Sequence, residues 1–323
     1  MLVYRMESNA VEANKMNPLS QRTHGLVSSA ALLAMLVSNA WCGQVYETTS
    51  VYNHIIVEDV AGTRILRFNG SQESRMSLQD STRGHFQYTE ILQLPVFWNP
   101  AATNVLMIGL GGGSTHRAYQ LLFPEIHIDA VELDPVVMKV AKTYFGVRES
   151  RTLKFHEADG RVYLRRTKQK YDAILLDAYT STRYGSFIPH HLATTEFFTI
   201  VRDHLTPNGV VMFNVIGNYQ GWRADIFGAM YKTMNSVFPN VYHVPSTESQ
   251  NIILIGAMNE GPLKRETKLR NEEALLKTYP RLPLAFWKNT QAIQSVVPVS
   301  AAKSPVLSDK FAPVDGLLNA VPR

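Results

Sequence analysis

The sequence predicts an α/β fold in which a doubly wound, Rossmann-like sheet follows a small antiparallel β domain. Three features predict it: short apolar runs alternate with helix-length segments from residue 104, a glycine-rich loop directly follows the first run, and β-rich segments precede it. The chain has 323 residues, 45% of them hydrophobic, which suffices for both parts. We expect the β domain over residues 46–100, the Rossmann-like domain over 101–260, and a C-terminal helix and tail over 261–323.

The first 45 residues are expected to be a signal-like or disordered segment. A charge-free apolar run extends from Gly25 to Ala40. If translation starts at Met16, the run has a short basic leader with Arg22 and a small-x-small exit ending at Ala40, as in a cleaved signal peptide. The run is short for a membrane span. Two interpretations stay open: export to the periplasm, with membrane attachment only if the segment is uncleaved, or a cytoplasmic protein in which the run is a buried helix.

Composition argues against several function classes. The 32 basic and 27 acidic residues give a net charge of +5, but the basic residues are dispersed among polar and acidic neighbours, so we expect no nucleic-acid partner. The single cysteine, Cys42, excludes an internal disulfide and a multi-cysteine metal site. The sequence has no HExxH pattern, and the adjacent His190 and His191 point in different directions in a regular element, so we expect no metal.

The predicted β domain consists of alternating and turn-forming segments. Residues 50–58 alternate as one strand, Thr63–Phe68 forms a second strand, and Asn69-Gly70 is a hairpin signal. Residues 84–98 then have a helical pattern. We expect this helix to end at Pro95, because proline interrupts a helix.

The Rossmann-like part contains apolar runs of the kind that a parallel sheet covered on both faces requires. Helix-length segments separate these runs, a later pair of runs predicts a hairpin on the sheet edge, and a charged helix is expected after it. The runs are residues 105–108, 126–131, 173–176 and 209–215, the edge pair is 241–244 and 251–256, and the charged helix is 264–276.

A glycine-rich loop follows the first strand of this part, with Gly109, Gly111 and Gly113 ahead of Ser114. Glycine lets the backbone turn tightly and approach a ligand closely, and the following helix presents free backbone N–H groups at its N-terminus. On its own, such a loop could equally be a structural turn.

Acidic residues follow at the ends of later strands. Glu132 comes 23 positions after Gly109, where a carboxylate can hydrogen-bond both ribose hydroxyls of an adenosine ligand. Asp134 has the pattern of a helix N-cap. Asp159, followed by Gly160, is placed to accept the adenine amino group at the same sheet edge. Together with the glycine loop, these acids suit an adenosyl donor better than a dinucleotide, whose GxGxxG fingerprint is absent.

Asp177 directly follows the predicted strand over residues 173–176, beside the expected donor site. A carboxylate there can act as general base for an attacking amine or hold a cationic substrate. An aspartate that only forms a turn explains the position of Asp177 equally well.

The order of these segments resembles the spermidine-synthase (polyamine aminopropyltransferase) family, and especially its bacterial spermidine-synthase-like members. The similarity covers roughly residues 46–256, and several further motifs match. These motifs are residues 50–55, the turn 69–72, residues 88–90, 177–181 and 188–197, and the tail 306–315.

The resemblance implies an S-adenosylmethionine-dependent methyltransferase-type fold and a transferase that moves an aminopropyl group to a small-molecule amine. The implied donor is decarboxylated S-adenosylmethionine or S-adenosylmethionine itself. In such a site the glycine loop, Glu132, Asp159, Gly160 and Asn53 would hold the donor, and Asp177 would act on the amine. The resemblance further implies that Tyr88, Tyr179 and Gln72 contact the substrate, and it suggests a homodimer.

Two positions depart from the family pattern. Gly112 stands where spermidine synthases usually carry an aspartate that helps to bind the decarboxylated donor, and Thr180 stands where a second aspartate follows Asp177. The loss of two carboxylates weakens the electrostatic attraction for a cationic donor and amine. Two alternatives therefore stay open: a methyltransferase that uses ordinary S-adenosylmethionine, and a degenerate member that binds a ligand without catalysis.

Overall fold

The computed structural model describes residues 43–182, 185–221, 223–259 and 261–318. These residues belong to one compact unit. Cys42 and the predicted signal-like segment up to residue 42 lie outside the described residues. No helix within the described ranges is both long and apolar enough to cross a membrane.

Strands alone form the first part of the described chain, and strands alternate with helices after it. The strands are β1 (Gly43–Thr49), β2 (His54–Val60), β3 (Thr63–Phe68), β4 (Ser71–Ser77), β5 (Asn104–Ile108), β6 (His127–Glu132), β7 (Leu153–Glu157), β8 (Tyr171–Leu176), β9 (Thr180–Thr182), β10 (Gly185–Phe187), β11 (Leu205–Ile216), β12 (Asn240–Pro245) and β13 (Asn251–Ala257). The α-helices are α1 (Tyr88–Ile91), α2 (Pro95–Trp98), α3 (Ser114–Leu122), α4 (Pro135–Tyr144), α5 (Gly160–Arg166), α6 (Thr195–Asp203), α7 (Ala224–Asn235), α8 (Arg265–Thr278), α9 (Leu284–Gln291) and α10 (Val314–Leu318).

The larger sheet has seven strands in the order β12-β13-β11-β8-β5-β6-β7. Strands β5 to β8 and β11 run parallel, whereas β12 and β13 form an antiparallel hairpin at the edge, which confirms the predicted edge hairpin. The chain runs outward from β5 through β6 to β7 and then returns to β8 on the other side of β5. Loops diverge at such a switch point, and a ligand crevice opens at the carboxyl ends of the strands.

The central strands bury apolar side chains on both faces. On β5, Leu106 and Ile108 pack into the core on one face, and Val105 and Met107 pack into the core on the other. Each of the four is at most 3% exposed. Successive side chains of a strand point to opposite faces, so an unbroken apolar run marks a strand that is covered on both sides.

The smaller sheet is a four-stranded antiparallel meander in the order β1-β2-β3-β4, which confirms the predicted N-terminal β part. Its inner face buries Ile55, Val57 and Leu66 against Val140 of α4 and against Phe145, which follows that helix. This packing brings β3 and β4 to the carboxyl end of the larger sheet.

The strand predicted over residues 50–58 begins only at His54, as β2. Residues 50–53 form a turn between β1 and β2 instead. The Ser50 hydroxyl accepts hydrogen bonds from the backbone N–H groups of Tyr52 (3.1 Å) and Asn53 (3.0 Å). A serine that bonds to nearby backbone in this way stabilises a turn, and it outweighs the β propensity of its neighbours.

The helix predicted over residues 84–98 is instead two short helices, because α1 ends at Ile91 and Pro95 begins α2. Proline suits the first position of a helix, where its missing N–H is not needed. The C-terminal part also contains more helix than the predicted single helix and tail, because α8 is followed by α9 and α10.

Substitution of Gly109 is expected to lower the free energy of unfolding more than substitution of any other glycine. Its φ is +97°, and an added Cβ would lie 2.2 Å from the carbonyl oxygen of Asp177. Gly62 has a similarly positive φ of +77°, but nothing lies within 4 Å of its added Cβ. We predict that Gly62→Ala lowers the free energy of unfolding by about 1 kcal/mol and Gly109→Ala by roughly 3 kcal/mol or more. Urea unfolding of the two variants measures both values, and equal losses would contradict the steric argument.

Candidate active site

A cavity of about 370 Å³ opens at the carboxyl ends of β5, β6 and β8, a size typical of small-molecule sites. The smaller sheet and the segment after β8 close its other sides. Nearly all sequence-predicted site residues line it, namely Asn53, Gln72, Tyr88, Gly109, Gly111, Glu132, Asp159, Gly160, Asp177 and Tyr179. Gly113 does not line the cavity. It caps the start of α3 with φ +70°, and its added Cβ would lie 2.3 Å from Val147 Cγ2.

The glycine loop leaves no room for a side chain at Gly112. An added Cβ would lie 2.8 Å from Ser74 Cβ and 3.1 Å from Phe145 Cδ1. The Gly112 N–H donates to Ser74 Oγ at 2.9 Å, which fixes the loop against β4. Glycine therefore fits the packing at position 112, and an aspartate would clash with Ser74 and Phe145.

Glu132, the last residue of β6, faces the cavity with a carboxylate that the backbone holds in place. Its Oε2 accepts from the N–H of Leu110 and its Oε1 from the N–H of Asp134, both at 2.9 Å. Burial raises the pKa of Glu132, against the lowering effect of these backbone bonds. Asp134 accepts from Val136 N at 2.9 Å, which confirms the predicted cap of α4.

The Asp159 carboxylate makes hydrogen bonds to two other residues of the protein. Its Oδ1 accepts from Val162 N at 2.9 Å and caps α5, and its Oδ2 lies 2.7 Å from His191 Nε2. The hydrogen bond with His191 lowers the pKa of Asp159. Gly160 begins α5 close to β5, since an added Cβ would lie 2.4 Å from Ile108 Cγ2.

Asp177 lies directly after β8 and is held by two side chains. Asn214 Nδ2 donates to its Oδ1 at 2.8 Å, and the Tyr88 hydroxyl donates to its Oδ2 at 3.2 Å. Burial raises the pKa of Asp177 despite both hydrogen bonds. The Tyr179 hydroxyl donates to the backbone carbonyl of Asn214 at 2.6 Å and accepts from Ile216 N at 3.1 Å, so its ring stays fixed beside Asp177.

Two predicted residues come from the smaller β part, namely Asn53 in the turn between β1 and β2 and Gln72 on β4. Asn53 Oδ1 accepts from Asn69 Nδ2 at 3.1 Å, and the same amide group donates to the carbonyl of Ser181 at 2.7 Å. Gln72 is exposed at the rim. Asn53 therefore takes part in joining the smaller sheet to the segment after β8.

Sequence reasoning missed two residues of this cavity. Asn214 stands inside the apolar run of β11 and is only 2% exposed, and a polar residue in such a run was the available signal. Glu73 follows Gln72 on β4 at a β-bulge, since Arg67 pairs with Gln72 and Leu66 with Ser74, and it lines the cavity as Gln72 does. Its Oε1 accepts from Ser181 Oγ (2.6 Å) and Ser186 Oγ (2.9 Å).

The cavity wall is acidic although the whole chain carries +5. Among the described residues that line the cavity, no lysine or arginine is found. The carboxylates are those of Glu73, Glu132, Asp134, Asp159 and Asp177. Within the described parts of the chain, no group of three or more His, Cys, Asp or Glu side chains could hold a metal ion.

An open sheet with this strand order and a carboxylate-lined crevice at its switch point defines the methyltransferase-like class of α/β transferases. Residues 85–260 match the family model described as the Spermine/spermidine synthase domain. Because this match covers more than half of the chain, the protein belongs to the spermine/spermidine synthase family. The resemblance drawn from its motifs is thereby confirmed.

Relatives of two activities are similar to the chain. The polyamine aminopropyltransferase of Vibrio vulnificus is 32% identical over 302 residues, which cover 88% of this chain and 96% of that protein. The human eEF1A lysine and N-terminal methyltransferase is 30% identical over 202 residues, covering 60% of this chain and 28% of that protein. A solved structure of a probable spermidine synthase from Corynebacterium glutamicum shares the fold, with a TM-score of 0.58 at 19% identity over 72% of this chain and 86% of that one.

The C-terminal tail is tied to the start of α5. Arg161 donates to both carboxylate oxygens of Asp309, at 2.7 Å and 2.5 Å, and Thr194 Oγ1 donates to Asp309 at 2.7 Å. Arg161 also donates to the carbonyl of His191 at 3.0 Å, so the tail supports the His191–Asp159 pair. The hydrogen bond from Arg161 lowers the pKa of Asp309 to about 2.

Asp309→Asn is expected to lower the free energy of unfolding at neutral pH by roughly 1 kcal/mol, because the side chain is 40% exposed and solvent screens the pair. A carboxylate with a depressed folded-state pKa stabilises the fold above its unfolded pKa, and this contribution is lost as the pH falls toward about 2. The difference between wild type and variant should shrink below about pH 4. Urea titrations at several pH values measure it, with the exposed Glu266→Gln as control. A difference that does not change with pH would exclude the Asp309 carboxylate as its source.

Proposed function

We propose that this protein transfers an aminopropyl group from decarboxylated S-adenosylmethionine to a small-molecule amine. The observation that carries the proposal is the acidic cavity, whose described lining contains five carboxylates and no lysine or arginine. The sulfonium donor and the ammonium form of the acceptor are both cations, and carboxylates stabilise them in a partly buried site. The V. vulnificus aminopropyltransferase, similar over 96% of its length, supports the same activity.

The donor would occupy the side of the cavity that the glycine loop and β6 form. The backbone at Gly109 and Gly111 permits close approach, and each oxygen of Glu132 accepts one backbone hydrogen bond and keeps a lone pair for a ribose hydroxyl. Asp159 likewise keeps acceptor capacity for the adenine amino group beyond its bonds to Val162 and His191. Donor binding would therefore use groups that the backbone already orients.

In the reaction, the amine nitrogen attacks the aminopropyl carbon that is bonded to the sulfonium sulfur. The carbon–nitrogen bond forms as the carbon–sulfur bond breaks, and neutral methylthioadenosine leaves with the electron pair. Asp177 accepts the proton from the nitrogen, since Asn214 and Tyr88 hold its carboxylate at the end of β8. Burial raises its pKa, which makes it a stronger base than an exposed aspartate.

Methyl transfer from S-adenosylmethionine is the second candidate, and Gly112 favours it. The loop has no space for the carboxylate that binds the decarboxylated donor in the family, because Ser74 and Phe145 fill that position. The similarity to the human eEF1A lysine and N-terminal methyltransferase supports this candidate. The two reactions share a donor site and differ in the carbon that is transferred.

The product distinguishes the two candidates. We expect the purified protein, incubated with decarboxylated S-adenosylmethionine and 1,4-diaminobutane, to release methylthioadenosine, and we expect ordinary S-adenosylmethionine to give no S-adenosylhomocysteine with the same amine. Chromatography with mass detection measures both nucleosides, and Asp177→Asn serves as the inactive control. Formation of S-adenosylhomocysteine alone would establish the methyltransferase instead.

Substitution of Asp177 is expected to lower mainly kcat, whereas substitution of Glu132 is expected to weaken mainly donor binding. Asp177→Asn removes the base but keeps the size of the side chain, so kcat should fall by roughly 10²–10⁴-fold while the donor Kd changes little. Glu132→Gln should raise the donor Kd by about tenfold and affect kcat less. In the wild type, the rate should decline as the pH falls through the raised pKa of Asp177, because the protonated acid cannot accept the proton. Steady-state kinetics with calorimetric donor titration tests these effects, and an unchanged kcat in Asp177→Asn would exclude the base role.

A further inference from the structure

Glu73 places a second carboxylate in the acceptor part of the cavity. Its Oε1 accepts from the Ser181 and Ser186 hydroxyls at 2.6 Å and 2.9 Å, and those serines belong to β9 and β10. No described residue donates a hydrogen bond to its Oε2, although Glu73 lines the cavity. One oxygen is thus anchored and the other is left for a ligand.

Glu73 is hydrogen-bonded next to the position at which the sequence lacks an acid. Thr180, which stands where the family pattern has a second aspartate, lies directly before Ser181 on the ribbon that holds Glu73. Thr180 itself is exposed and also lines the cavity. A carboxylate therefore reaches the same wall from β4 of the smaller sheet rather than from the segment after Asp177.

The surroundings of Glu73 favour a bound cation. Burial raises its pKa, and the nearby charge of Asp177 raises it further. The described cavity lining offers no lysine or arginine to neutralise the two acids. Two carboxylates that repel each other in a partly buried site are stabilised by a positively charged ligand group.

We propose that Glu73 selects the acceptor by pairing its Oε2 with an ammonium group at one end of the amine, while Asp177 receives the proton from the attacking nitrogen. The acceptor is then a small amine with a second, protonated nitrogen. This inference rests on the proposed aminopropyl transfer, and it adds a residue that the sequence motifs did not single out. The aromatic rings of Tyr88 and Tyr179 line the same part of the wall beside Asp177.

Glu73→Gln separates this role from a structural one. The amide oxygen of glutamine can still accept from both serine hydroxyls, so the anchor of the β9–β10 ribbon is kept and only the charge is lost. A residue that merely holds the ribbon would tolerate this change. A residue that pairs with an ammonium group would not.

The test is calorimetric titration of the full chain, saturated with methylthioadenosine, with 1,4-diaminobutane and with n-butylamine. The wild type should bind the diamine at least about tenfold more tightly than the monoamine, and Glu73→Gln should bind both about equally. Glu73→Asp keeps the charge and should retain most of the preference. The surface variant Glu266→Gln should match the wild type, and the methylthioadenosine Kd should stay the same in every variant.

A preference for the diamine that persists in Glu73→Gln, or a wild type that shows none, would overturn the proposal. Because the titration measures binding without turnover, it is independent of the product assay. If binding shows a Glu73-dependent preference for the diamine but no methylthioadenosine forms, the amine site would be supported and the transfer reaction rejected. Methylthioadenosine formation with an unchanged preference in Glu73→Gln would reject the role of Glu73 alone.

Discussion

The close approach of the chain at the ends of β5 and β8 is the constraint on which the cavity depends. Only glycine fits at position 109, where an added Cβ would lie 2.2 Å from the Asp177 carbonyl oxygen. The Asp177 N–H donates to the carbonyl of Ile108 at 2.9 Å, and the Gly109 N–H donates to the carbonyl of Val131 at 2.9 Å. Three strand ends thus meet at one point, and the acids that follow them face the same space.

The second constraint is electrostatic. A partly buried wall with several carboxylates is unfavourable unless hydrogen bonds or a cation stabilise the charges. The protein supplies hydrogen bonds from backbone groups to Glu132 and from side chains to Asp177 and Glu73. The remaining negative potential is available for a positively charged ligand, as the proposed transfer between a sulfonium donor and an amine requires.

The residues that sequence reasoning placed by local order along the chain lie together at one edge of the larger sheet. The glycine loop, Glu132 and Asp177 each directly follow or end an apolar strand run, so their position at one sheet edge followed from the parallel α/β pattern. The cap by Asp134 was equally local. The turn at residues 50–53 and the start of α2 at Pro95 were missed, because side-chain bonds and helix-start preferences outweighed the propensities of the surrounding residues.

The sequence by itself determined the fold class, the family and the glycine-loop side of the candidate site, because strand period, glycine spacing and strand-end acids are properties of short segments. The tertiary structure alone decided the opposite side of the cavity. Asn214 reaches Asp177 from β11, and Glu73 comes from a different sheet to bond Ser181, 108 positions along the chain. Such contacts arise from the packing of distant elements, which no local pattern encodes. The same packing explains Gly112, since Ser74 of β4 occupies the space of the missing side chain.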